Sequence, residues 1–284
     1  MTALNGVHIL LTYRCLSTCD HCFVWGSPQQ TAVFTRENLL HALDQAGEVP
    51  SIRTVYFEGG EPFLFYPLLV EGARAAAARG FSVGIVSNGY WGSSVEDARL
   101  WLAPFVGLLS DLSISTDRLH TGTDVSPESR SIMAACRQLG IPGQTLSCQT
   151  EDVQFRGRAA SLLSAQAPKR PWSSFDECPH EDLEAPGRVH LDPAGNLHLC
   201  QGLVMGNLFD RPLKEILDSY EAAAHPIAAP LTAGGPAELV RVYDLPHAAT
   251  YADACHLCYT ARDQLRERFP VALAPDAMYG VGLT

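Results

Sequence analysis

Lysine is nearly missing from this 284-residue chain: Lys169 and Lys214 are its only two. With 31 acidic against 20 basic side chains the formal charge is -11. A broad basic surface that could neutralise phosphates is therefore not expected, and neither is a nucleic-acid partner. Long apolar runs are missing as well. No stretch reaches the ~18 uncharged residues of a membrane-spanning helix, and the opening MTALNGVHILLTY has neither the positive leader nor the small-residue cleavage site of a secretory signal. The expected location is cytoplasmic, with no membrane partner. Internal repeats and low-complexity tracts are absent, and 46% apolar with 18% charged residues excludes a disordered chain.

What the chain does have is cysteine. Nine cysteines in a reducing compartment are seldom disulfides, and an odd number cannot pair completely within one chain. Metal binding is the leading explanation for those that cluster.

Between residues 7 and 147, short apolar runs alternate with helical stretches. Strands are expected over Val7 to Tyr13, Thr54 to Phe57, Phe81 to Ser87, Leu108 to Ser115 and Gln144 to Ser147. Thr35, Ser94 and Ser126 are placed to cap the intervening helices, and Gly80 and Gly140 to stop them. Such βα alternation predicts an α/β fold with five or six parallel strands, its chemistry gathered at the carboxyl ends. The alternation fails around QAPKRPWSS (166–174), which reads as a linker. A smaller α+β unit follows. Its hairpin turns at Asp192-Pro193-Ala194-Gly195, and its helices are expected near 212–220, 236–243 and 251–268. The expected division is 1–165, a linker over 166–177, and 178–284.

Cys15, Cys19 and Cys22 stand in CLSTCDHC, in the long loop after the first strand. Three thiolates can ligate three irons of a [4Fe-4S] cluster and leave the fourth open to a small molecule. A zinc site would need a fourth ligand, which His21 could offer, although its adjacency to Cys22 makes tetrahedral convergence awkward. The next motif, Phe57-Glu58-Gly59-Gly60-Glu61-Pro62, ends the second strand. Ser87-Asn88-Gly89 follows the third strand, and Ser113-Ile114-Ser115-Thr116-Asp117 ends the fourth.

Over residues 7–147 these motifs resemble the radical S-adenosylmethionine (SAM) superfamily, which implies a partial (β/α) TIM-like barrel. The resemblance implies a SAM-binding [4Fe-4S] cluster on Cys15, Cys19 and Cys22. It also places SAM against Gly59, Gly60, Glu61, Ser87, Asn88 and Ser115, with His21 beside the adenine. Gly59 and Gly60 would let backbone approach the ligand, and Glu61 would accept a hydrogen bond from the methionine ammonium.

Cys178, Cys200, Cys255 and Cys258 form a second, complete ligand set, which suits zinc or an iron–sulfur cluster equally by thiolate count. The run from Gly187 to Cys200, with Met205-Gly206-Asn207-Leu208 and the Cys255/Cys258 pair, resembles the C-terminal extension called SPASM in its shorter twitch form. That resemblance implies an auxiliary [4Fe-4S] cluster. Cys136 reads as a core hydrophobe, Cys148 as core or cavity wall, and Gly234-Gly235-Pro236 as a helix cap.

The resemblance implies an enzyme that cleaves SAM reductively to a 5'-deoxyadenosyl radical, which abstracts a substrate hydrogen. An external one-electron reductant such as flavodoxin or ferredoxin would be its partner. With four thiolates, the auxiliary cluster suits electron acceptance, so the leading expectation is an oxidoreductase that dehydrogenates a small molecule. Arg158 is the candidate catalytic residue. The alternatives are a peptide-modifying maturase that forms a thioether or carbon–carbon crosslink, and a non-catalytic iron–sulfur or zinc protein.

Overall fold

A computed structural model describes residues 4–148 and 150–282. The chain forms two compact units, one of Asn5–Ser17 with Gly26–Asp152, the other of Thr18–Trp25 with the chain from Val153 onward.

The first unit is the expected βα alternation. Its strands are β1 (Gly6–Thr12), β2 (Thr54–Gly59), β3 (Ser82–Ser87), β4 (Leu109–Ser115) and β5 (Gly143–Leu146). They lie in the order β5-β4-β3-β2-β1, every neighbouring pair parallel. This unit thus contributes five parallel strands, arranged as a partial barrel. Helices α1 (Arg36–Gly47), α2 (Tyr66–Ala78), α3 (Val95–Leu102) and α5 (Pro127–Leu139) make the crossovers, and the short α4 (Arg118–Thr121) follows β4. The caps are those the residue types foretell: Thr35 accepts from the Asn38 amide, Ser94 from Asp97 and Ser126 from Ser129. Gly140 ends α5 in the left-handed region. Ile9, Leu11, Val55, Phe57, Val83, Ile85, Leu112 and Ile114 fill the core from alternate strand positions. Cys136 is buried with them, where burial raises its thiol pKa to about 11.

The second unit contains α6 (Arg158–Leu162), β6 (Arg170–Pro171), β7 (Arg188–Leu191), β8 (Asn196–Cys200), β9 (Leu203–Asn207), α7 (Leu213–Ser219), α8 (Ala228–Tyr243), β10 (Thr250–Tyr251) and α9 (Ala254–Leu265). β7, β8 and β9 form an antiparallel meander. Its first turn is held by Asp192, which accepts from the Ala194 and Asn196 amides and from fully buried His198. α8 is two helical stretches joined at non-helical Gly234-Gly235, and the second begins at Pro236, where the sequence puts it.

Two boundaries differ from expectation. The first unit ends at 152 rather than 165, because Gly157 and Arg158 pack on residues 19–23 and join them to the second unit. The expected linker over 166–177 is folded: β6 pairs antiparallel with β10, and the Trp172 ring lies 4.1 Å from His247. The outermost expected boundaries, residues 1 and 284, lie outside the described residues. No described helix is long and apolar enough to cross a membrane.

Candidate active site and metal centres

In the first unit the site grows from the carboxyl ends of β1 and β2. Leaving β2, the chain turns back on β1: the Gly60 amide donates to Thr12 O at 2.7 Å and the Glu61 amide to Arg14 O at 2.8 Å. This stitch explains both glycines. A Cβ on Gly59, whose φ is +133°, would lie 2.3 Å from Thr12 O, and one on Gly60 would lie 2.2 Å from Arg14 O. The space that a side chain would need is filled by the protein's own backbone just before Cys15. The expected reason, room for a ligand, is therefore not the first constraint.

Glu61 is fully buried. Its carboxylate accepts from Phe63 N (3.0 Å), Ser87 Oγ (2.9 Å) and Asn88 N (2.7 Å). Burial raises its pKa to about 7, against the lowering effect of those bonds. Ser87 also accepts from Gly89 N and Trp91 Nε1. Glu61 and Ser87 thus form an internal brace across the ends of β2 and β3. Asn88 is aimed elsewhere, its Nδ2 3.6 Å from Cys15 Sγ. The Ser17 amide donates to the same sulfur at 3.4 Å.

Ser115 is buried at the end of β4. Asp117, two residues on, accepts from the Leu119, His120 and Cys148 amides and the His120 ring. Burial opposes its ionisation, but the Cys148 amide and His120 hold its pKa below the usual range. Sequence reasoning quoted Asp117 without giving it a role. It stands directly before α4 as that helix's N-cap, and in sequence it looks like any other cap.

Cys19, His21 and Cys22 lie in one turn of the second unit, closed by Cys22 N to Cys19 O at 3.0 Å. Arg156-Gly157-Arg158 clamps it. Arg158 donates from its backbone to Cys22 O (3.0 Å) and from Nη1 to Cys19 O (2.7 Å), and its guanidinium sits 5.2 Å over the Trp25 ring. Gly157, at φ +57°, comes so close that a Cβ would meet Cys22 O at 2.6 Å. Arg158 is thus buried in structural contacts with the cysteine turn.

Cys178, Cys200, Cys255 and Cys258 all line one cavity of the second unit, together with Arg156, Glu181 and Arg262. β8 delivers Cys200, and α9 delivers Cys255 and Cys258 from its first turns. Gly235 helps place Cys178. At φ +63° its missing Cβ would fall 2.3 Å from Glu177 N, and the Ala237 amide donates to Phe175 O at 2.9 Å. Burial raises the Cys258 thiol to about 11 and pushes Cys255 higher; neighbouring Cys200 adds to both shifts, against the lowering effect of Arg262 on Cys258 and of Arg156 on Cys255. Buried thiols in this number fit a metal or a cluster, which offsets the cost of ionising them. The arrangement also holds donors that four thiolates alone do not use. Arg262 is 1% exposed, and its Nε is buried with no hydrogen-bond partner among the described residues. The sequence signal for Arg262 was its place one helical turn after Cys258.

Residues 9–148 match the model of the Radical SAM superfamily, and the chain belongs to that superfamily of SAM-using enzymes. A putative peptide biosynthesis protein, YydG of Bacillus subtilis (strain 168), is 29% identical over 133 residues, 46% of this chain and 42% of that one. A tungsten-containing aldehyde ferredoxin oxidoreductase cofactor-modifying protein of Pyrococcus furiosus is 31% identical over 87 residues, 30% of this chain and 24% of that one. The aligned stretch spans less than half the length of either relative. Among solved structures, BtrN in complex with AdoMet and 2-DOIA covers 75% of this chain and 81% of its own, with a TM-score of 0.51 and 14% identity, a likeness of fold.

Proposed function

We propose that this protein is a radical SAM oxidoreductase that removes two electrons from a small molecule, using a second, auxiliary [4Fe-4S] cluster on Cys178, Cys200, Cys255 and Cys258 as electron acceptor. The observation that carries the reading is the meeting of these four cysteines with half-buried Arg156 and buried Arg262 in one cavity. When bound, the cluster on Cys15, Cys19 and Cys22 together with SAM supplies one electron and a 5'-deoxyadenosyl radical. The chain's own residues bind and orient. Glu61, expected to accept the methionine ammonium, instead holds Ser87 and Asn88 in place from beneath; the Gly59-Gly60 turn and Asn88 wall the ligand, Ser115 contacts it, and His21 lies beside the adenine. Arg158 is a positioning residue that holds the cysteine turn in place. In the overall balance the substrate would lose one hydrogen atom, one proton and one electron, and a cluster held by Cys178, Cys200, Cys255 and Cys258 would be the acceptor for that electron. Flavodoxin or ferredoxin supplies the initiating electron.

A second reading, a peptide substrate, is favoured by the peptide-biosynthesis name of the 29%-identical relative. It shares the first hydrogen abstraction and differs in what the radical then does.

The test is iron, sulfide and zinc per chain after anaerobic reconstitution, with dithionite-dependent 5'-deoxyadenosine measured in the same sample. Two four-iron clusters require about eight irons, falling to about four in the Cys255→Ala/Cys258→Ala variant, which should still cleave SAM. Zinc in place of the second four irons would remove the electron acceptor, and no SAM cleavage would refute the enzyme reading.

A further inference from the structure

The cavity lined by the four cysteines carries charges that ligand binding alone does not require. Arg156 Nη1 lies 3.5 Å from Cys200 Sγ and 3.4 Å from Glu181 Oε1. The two side chains are 15% and 12% exposed. Arg188, at 3.5 Å, is a second and more exposed partner of Glu181. Arg262 lies within the same wall and donates from Nη1 to Gln201 O at 2.5 Å. Its guanidinium also faces the Cys258 thiol, and its Nε, which has no hydrogen-bond partner among the described residues, could donate to sulfide that a cluster would bring and a zinc ion would not.

Adding an electron to such a centre adds negative charge inside a poorly solvated cavity. A guanidinium a few ångströms away favours that state, and a carboxylate disfavours it. At this range, even with an effective dielectric of about 20, one full charge alters the equilibrium by more than a factor of ten. We propose that Arg156 and Glu181 set the reduction potential of the auxiliary centre. Arg156 raises it so that the centre can take an electron from a substrate radical, and Glu181 restrains it so that the electron can leave again. Arg262 supplies a fixed second positive charge. The inference rests on the auxiliary-cluster reading above.

The experiment is an EPR-monitored redox titration of the reconstituted full-length protein, its Arg156→Gln variant and its Glu181→Gln variant, each after its iron and zinc have been counted. Glutamine at 156 keeps a donor for Cys200 and removes the charge. The expected result is one midpoint that moves negative in Arg156→Gln and positive in Glu181→Gln, each by at least a factor of ten, which is about 59 mV for one electron. The other centre should stay fixed. Damage to packing has no reason to give shifts of opposite sign. Eight irons with midpoints that do not move, or that move together, overturn the inference and leave the auxiliary-cluster reading intact. Four irons and a zinc in the wild type overturn both. Should Arg156→Gln fail to load its second cluster, Glu181→Gln decides alone, since its positive shift is required.

Discussion

Glu61 shows how a motif residue is read correctly by position and incompletely by role. The sequence marks it as a ligand for SAM, and the fold makes it first the acceptor for Phe63, Ser87 and Asn88, with no exposed surface. Its pKa, raised by burial to about 7 from a usual 4.5, means that the folded protein holds the proton more tightly than the unfolded chain. The stabilising contribution is then fully present below about pH 4.5 and is lost as pH rises through about 7. Glu61→Gln removes this dependence, at the constant cost of turning an amide donor toward the Asn88 N–H, about 1–3 kcal/mol. The stability difference between wild type and Glu61→Gln should therefore shift by roughly 3 kcal/mol between pH 4.5 and 8, the wild type losing ground as pH rises. Urea unfolding across that range measures it, and a difference independent of pH would show that Glu61 is ionised throughout. Arg158 was legible as a residue of interest, but not its attachment to Cys19 O and Cys22 O. Nothing in one sequence tells which carbonyl, 139 residues away, a guanidinium will find.

At the scale of elements, a single device recurs: a glycine presses its backbone against the segment that carries a cysteine. Gly59 and Gly60 press on Thr12 to Arg14 ahead of Cys15, Gly157 on Cys22 and Phe23, and Gly235 on Asp176 and Glu177 ahead of Cys178. Forcing alanine into the positive-φ positions costs of order 1–3 kcal/mol in strain, before the steric overlap is counted. The losses should be selective. Gly235→Ala is expected to fall from about eight irons to about four and keep SAM cleavage, whereas Gly157→Ala should lose cleavage and retain the auxiliary four. Iron analysis beside a 5'-deoxyadenosine assay reads both, and equal damage to the two centres in either variant would argue against local placement. Strands, caps and the hairpin were legible because their signals are local: Thr35, Ser94 and Ser126 cap where they stand, and Gly195 turns at φ +86°. The glycine contacts were not legible, since GGPAE reads as a cap until Phe175 to Glu177 is seen beneath it.

For the whole molecule, the change of pattern foretold two units, but unequal ones parted at a pair of prolines, whereas the compact units are of nearly equal length. The compact division follows long-range contacts instead, at Asp152/Val153, with Thr18–Trp25 joined to the later unit. Net charge is the property at this scale that sequence states directly. Part of the small basic complement is already matched: Arg36 pairs with Glu71, Arg79 with Asp44, Arg118 with Asp124, Lys214 with Asp218, and Arg266 with Asp263 and Asp276. Such exposed pairs add little to stability, but they leave a surface whose field is set by unmatched carboxylates and a total of -11. An acidic protein reductant must approach against that field. Screening shortens its reach from ~30 Å at about 0.01 M salt to ~10 Å at about 0.1 M. Reduction by an acidic flavodoxin should therefore speed up as potassium chloride rises over this interval, by roughly an order of magnitude or less. Stopped-flow reduction of the reconstituted protein gives the second-order rate. A rate that falls with salt would instead require a local basic docking face strong enough to override the net charge, and would direct the search for it to arginines left outside these pairs.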